Sequence, residues 1–265
     1  GSYLVRLLPL MLSLIYFYKP KIPFYFEIII LALIGSIIFF TTERTALFLL
    51  LLVYLSYFLV SNKKIIFSIG IFIVFVFLFS FNNDLKVKYI EGTIKQTGIK
   101  FFFEESPRPV EKDIPRYYSY EHENLSFTGI EIFKNNFLFG SGVKNFYNSC
   151  LDLKPKFQYK INQRNNRLIC STHPHNTYIQ ILSEIGILGF FIIAFIFLKF
   201  KFINLKIFLK KDKNNFDKSY FFINLTFIIN LMPLIPSGSF FNNWMCLIMF
   251  FPIGFWLYIK EKYTK

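Results

Sequence analysis

The sequence predicts an all-α polytopic membrane protein, with about seven transmembrane helices and one large extracytoplasmic loop domain. Three observations predict it. Of 265 residues, 54% are hydrophobic and 21% aromatic while only 17% are charged, which is more apolar surface than a soluble domain of this length could bury. Apolar runs approaching or exceeding the roughly 18 residues of a membrane-crossing helix recur along the chain. Lysines gather at alternate connections between those runs, as the retention of basic residues on the cytoplasmic side requires.

In chain order the runs fall at about 3–18, 22–40, 44–60, 65–81, 177–198, 219–235 and 244–259. They divide the chain into four helices over 1–81, a loop domain over 82–176, and three helices with a cytoplasmic tail over 177–265. Lys19 and Lys21 follow the first run, Lys63 and Lys64 the third, and six lysines from Lys199 to Lys213 the fifth. Lys260, Lys262 and Lys265 follow the last, so four segments agree on one cytoplasmic side. Ile203 to Lys211 alternates apolar residues with lysines and reads as a short interfacial helix. The opposite side receives Thr41 to Arg44, Pro236 to Asn243, and the long segment from Asn82 to Asn176. That segment holds 14 Lys plus Arg and 10 Asp plus Glu, a near balance. Topology and codon bias toward Phe, Ile, Lys and Asn account for the formal charge of +14, and no nucleic-acid partner is expected. Residue 1 is Gly, and no basic n-region with a cleavage site precedes the first run; the pattern reads as a partial chain without a signal peptide.

Chemistry concentrates where the loop domain meets the fifth run, at Cys170-Ser-Thr-His-Pro-His-Asn-Thr-Tyr178. Ser171 or Thr172 can cap a helix there, with Pro174 in its first turn. An imidazole takes a proton near neutral pH, and His173 and His175 stand at the mouth of that helix. Asn176, Gln180, Ser183 and Glu184 share one face by helical spacing. A carboxylate such as Glu184 is costly in lipid and must be paired or solvated. Gly186 and Gly189 leave room for a neighbouring helix. Arg44 opens a helix on the outer side, against both the positive-inside bias and the helix dipole; a nearby anion would resolve both conflicts. Cys150 and Cys170 are expected to form a disulfide in an oxidising compartment. No C-x-x-C or H-E-x-x-H spacing points to a metal, and no cofactor is expected. Ile130, Phe133 and Phe137 lie at helical spacing and are expected to pack their helix onto the bundle.

His175-Asn176, nine residues, then Gly186-x-x-Gly189 resembles the signature of the O-antigen ligase and O-antigen polymerase family. Upstream, Ile130 to Gly142 is similar to the family's amphipathic helix and Gly-x-Gly turn, with Phe137 in place of the usual proline. Arg44-Thr45-Ala46 is similar to the family's arginine at a helix start, and the resemblance spans roughly residues 22–200. The family's bundle of about a dozen spans is not fully present, so an N-terminal portion is expected to be missing. The resemblance implies transfer of a glycan from undecaprenyl diphosphate at the periplasmic face of the bacterial inner membrane, within lipopolysaccharide biosynthesis. The loop domain is then periplasmic, and the acceptor is a sugar hydroxyl of lipid A core or, in a polymerase, another repeat unit. It implies His175 as general base, Arg44 as a diphosphate-binding cation, and a second arginine from the loop, for which Arg116, Arg164 and Arg167 are candidates. His173, Asn176, Glu184 and His122, which falls near the second arginine's position, support them. A transporter or a catalytically inactive relative is the reading from another class; mid-membrane charges would favour transport, and Glu27 and Glu184 are the acidic residues that enter the expected spans.

Overall fold

The computed structural model describes residues 1–18, 24–60, 87, 89, 120–157, 170–233 and 235–264. Among them the architecture is all helical, with no strand. The helices are α1 (Ser2–Tyr18), α2 (Phe24–Phe40), α3 (Arg44–Val60), α4 (Tyr120–Asn135), α5 (Phe146–Phe157), α6 (Thr177–Phe208), α7 (Asn215–Asn230) and α8 (Asn243–Thr264). Two of them, α6 and α8, are long and apolar enough to cross a membrane. Ser2–Tyr18, Glu27–Phe40 and Arg44–Val60 are apolar but shorter, and the run expected at 65–81 lies outside the described residues.

The chain forms two compact units. One comprises Gly1–Lys86, Ile196–Met232 and Leu247–Lys265; the other comprises Val87–Phe195 and Pro233–Cys246.

In the first unit α7 is the central helix and α1 is its main neighbour. The two run antiparallel: Arg6 donates to the carbonyls of Ile229 and Asn230 at 3.2 and 3.3 Å, and the Ser13 hydroxyl donates to the Ser219 carbonyl at 2.8 Å. Arg6 is only 1% exposed and its positive charge meets the last carbonyls of α7, the negative end of that helix. The other end of α7 is closed by a capping box in which Asn214 and Asp217 exchange side chain to backbone bonds. Asp217 also accepts from Lys210 and from the Tyr263 hydroxyl, tying α6, α7 and α8 together. Burial pulls the Asp217 carboxyl up, but the Lys210 ammonium, the Asn214 amide and Tyr263 together hold it below its ordinary value. In α3 one face, including Leu49, Leu50 and Val53, is buried, while Phe48, Leu51 and Leu55 on the other face are exposed and equally apolar. A helix that is apolar all round suits a lipid surrounding.

In the second unit α4 packs on α5 through Leu125, Ile132, Phe146, Cys150 and Leu153. The stripe that α4 buries is therefore Leu125 and Ile132, whereas Ile130 and Phe137 are exposed. The spacing of Ile130, Phe133 and Phe137 was genuine, but it describes the outer edge of the helix and the turn beyond it. The fifth run starts at its expected residue but extends past its expected end. Its helix starts at Thr177, with Pro174 ahead of it and not in its first turn, and after a break at Gly186 it continues through Ile203 to Phe208, so no separate interfacial helix forms there.

Candidate functional site

The start of α6 is fixed by Asn176. Its side-chain oxygen accepts from the Tyr178 and Ile179 amides at 3.0 and 3.1 Å, satisfying two amides that a helix N-terminus leaves unpaired. With Asn176 as cap, Ser171, Thr172 and Pro174 remain in the irregular segment ahead of the helix. The polar stripe on α6 is interior: Gln180, Ser183 and Glu184 are at most 1% exposed. Glu184 accepts from the Lys144 amide at 3.0 Å and from Gln180 at 3.3 Å.

Two turns into α6 the helix breaks at Gly186, which sits at φ 78. The break releases backbone groups, and the turn after α4 takes them up. Ser141 and Gly142 donate to the carbonyls of Ser183 and Glu184 at 2.9 and 3.0 Å, and Ile187 donates to the Phe137 carbonyl at 2.9 Å. Gly140, at φ 70, and Gly186 are in such close contact with the opposing backbone that a Cβ at either would strike it. Gly186 thus admits a turn, not the neighbouring helix expected from its spacing with Gly189. A Cβ at Gly189 would meet Ile185 and Ile181 of its own helix.

Just ahead of α6, three imidazoles meet. The rings of His173 and His175 lie 4.1 Å apart, and those of His122 and His175 lie 5.5 Å apart, edge to face. His122 comes from α4, so two elements build the cluster. His122, Ser126, Pro174, His175, Asn176 and Pro236 line a small open cleft. His175 holds a left-handed backbone at φ 54, which costs a non-glycine residue about 1 kcal/mol or more. Its carbonyl accepts from the Ser237 amide at 2.8 Å. Burial first, then the neighbouring His175 ring, push His173 down to about 4, against a backbone hydrogen bond with Ser237. His122 is lowered by the same two causes, burial ahead of His175, with Glu121 opposing. At pH 7 His122 and His173 are therefore neutral, and a neutral imidazole is the form that accepts a proton. Among the described residues, no group of three or more His, Cys, Asp or Glu is placed to hold a metal ion.

The remaining expected site residues fall as follows. Cys150 in α5 and Cys170, five residues ahead of His175, are joined by a disulfide. Arg44 is the first residue of α3, in the first unit, and is half-buried. Its neighbour Glu43 accepts from the Ser2 amide of α1 at 2.7 Å. Arg116, Arg164 and Arg167 lie outside the described residues. Sequence reasoning attached no chemistry to the loop 233–240, which nevertheless contributes Pro236 to the cleft and Ser237 to the backbone of His175. Only its proline, serine and glycine content set it apart in the sequence, and that signals a turn, not a partner.

Residues 28–194 match the family model described as O-antigen ligase. The match covers more than half of the chain, which therefore belongs to the O-antigen ligase family. Membership makes it a protein of the glycan-transferring ligase and polymerase class, tied to lipopolysaccharide biosynthesis, with a lipid-linked glycan and an acceptor as the general substrates. No curated protein and no solved structure matches. The matched span contains His122, His173, His175, Asn176 and Glu184, together with Arg44 and both bridged cysteines.

Proposed function

We propose that this protein is an O-antigen ligase. It moves a glycan from undecaprenyl diphosphate to a sugar hydroxyl of lipid A core, at the periplasmic face of the bacterial inner membrane. The observation that carries the reading is the meeting of His122, His173 and His175 beside an open cleft at the capped start of α6. Transfer needs an acceptor oxygen to attack the anomeric carbon as the bond from that carbon to the diphosphate breaks. The acceptor proton goes to His175, which lines the cleft and touches both other rings. General base catalysis of this kind contributes typically about 10² to 10⁴ in rate. The departing diphosphate carries the negative charge that develops, and a guanidinium stabilises it. Arg44 takes that role in this reading, aided by one loop arginine among Arg116, Arg164 and Arg167, and no metal is required. Asn176 caps the helix that follows the base, and Glu184 holds the Lys144 amide that leads into α5.

The membrane reading gives seven spans, with the loop domain outside. It rests on apolar α6 and α8, the shorter apolar helices, and lysines after the first, third, fifth and last runs. Membrane lipid is then a partner over the exposed apolar faces.

The test incubates membranes carrying the protein with labelled undecaprenyl-diphosphate glycan and lipid A core, then separates the products. Wild type yields lipid A core bearing glycan, and H175A loses at least about 10² of that turnover while still inserting in the membrane. Lengthened carrier-linked glycan as the product assigns a polymerase instead. Wild-type turnover in H175A removes the proposed base.

A further inference from the structure

We infer that the loop 233–240 is the positioning element of His175, with Ser237 and Gln180 as the residues that hold it there. The inference rests on His175 being the base. Five hydrogen bonds join the loop to the segment that carries the imidazole. Asn176 donates to the Pro233 carbonyl at 2.8 Å, and the Ser237 amide donates to the His175 carbonyl at 2.8 Å. The hydroxyls of Thr177 and Ser237 lie 2.9 Å apart. Gln180 donates to the Ser239 hydroxyl at 2.9 Å and accepts from the Phe240 amide at 2.8 Å.

From Ser237 to Phe240 the bonds follow both segments in the same order, and the bond from Asn176 to Pro233 fastens the start of the loop. The bond from Ser237 meets the one residue of this segment with a left-handed backbone, φ 54 at His175. A residue in that region relaxes unless its surroundings fix it. The Ser237 amide sets the direction of the His175 carbonyl, and through the peptide plane it sets the residue's backbone and the path of its ring. Gln180 anchors the loop from the other side; it is 1% exposed and its amide is used at both ends. Pro236 lies between these fastenings and lines the cleft, so the loop is both a wall of the site and its brace. The O-antigen ligase match ends at residue 194, ahead of the loop, which makes the brace a property read from this chain's own geometry.

The experiment uses the full chain in membranes with the labelled donor, measuring initial rates over a range of acceptor concentrations. S237P deletes the amide donor and the hydroxyl together; S237A keeps the amide. S237P is expected to lower kcat at least tenfold with the acceptor KM changed less than twofold, because substrate still binds while the base is misdirected. S237A restores kcat to within threefold of wild type. Q180M removes both bonds at the far fastening, and the 3.3 Å bond to Glu184 with them, without a backbone change and is expected to show the same loss confined to kcat. It carries the test should S237P fail to accumulate in membranes. Wild-type kcat in S237P or in Q180M overturns the brace, as does an equal loss in S237P and S237A. H175A separates the two readings: turnover kept in H175A overturns the base, whereas turnover lost there but intact in S237P and Q180M overturns the brace alone.

Discussion

His173 illustrates how far a single side chain can be shifted by its company. Burial and the adjacent His175 ring lower it from 6.5 to about 4, and His122 moves in the same direction. The unfolded chain therefore binds more protons than the folded one between those two values. Stability from this group is fully present above about pH 6.5 and is lost as pH falls toward 4. The expected outcome is a melting temperature in detergent that declines from pH 7 to pH 5. H173Q should show a shallower decline, and parallel slopes for the two proteins would remove His173 as a source of the dependence. The neutrality of these two rings also bears on turnover. Neither ring then places a positive charge beside His175 at neutral pH.

At the scale of the element, the junction between α6 and the turn after α4 depends on two glycines with positive φ. G140A and G186A each bring a Cβ into opposing backbone and also strain φ. Each is expected to cost about 1–3 kcal/mol or more and to lower the melting temperature by several degrees. G189A meets isoleucine side chains that can move and should cost less. A melting temperature for G186A equal to that of G189A would contradict the close packing.

The same junction explains what the sequence could and could not convey. His175-Asn176 and the two glycines were legible because the signal is local: a cap, a spacing, a helix start. The cap of α6 is less legible than its first residue, because Ser171, Thr172 and Asn176 all offer a capping oxygen within six residues, and the tertiary bond from Asn176 to Pro233 helps decide among them. The buried stripe of α4 was misassigned because Ile130 and Ile132 are equally apolar, and only contact with Phe146 and Cys150 distinguishes them. Partners of the loop 233–240 lie about 60 positions away in the chain, beyond the reach of any periodicity.

At the scale of the whole molecule, the all-helical class seen among the described residues was legible in the composition and the recurring apolar runs, since helices satisfy their own backbone groups in an apolar solvent. The covalent link between Cys150 and Cys170 closes a loop of 20 residues. It restricts the unfolded chain, and its removal in the C150S/C170S double variant is expected to cost about 3 kcal/mol. Thermal unfolding of the double variant beside wild type measures this, and an unchanged midpoint would show that the link contributes nothing.

The placement of that link reaches further than stability. Cys170 stands five positions before His175, so the strand of chain bearing the proposed base is stapled to α5 at one end. Thiol-rich cytosol does not sustain such a staple, whereas an oxidising exterior does. Under the proposed function, brief treatment with dithiothreitol is expected to lower glycan transfer while the protein stays in the membrane fraction, and unchanged turnover would show that the staple does not hold the site.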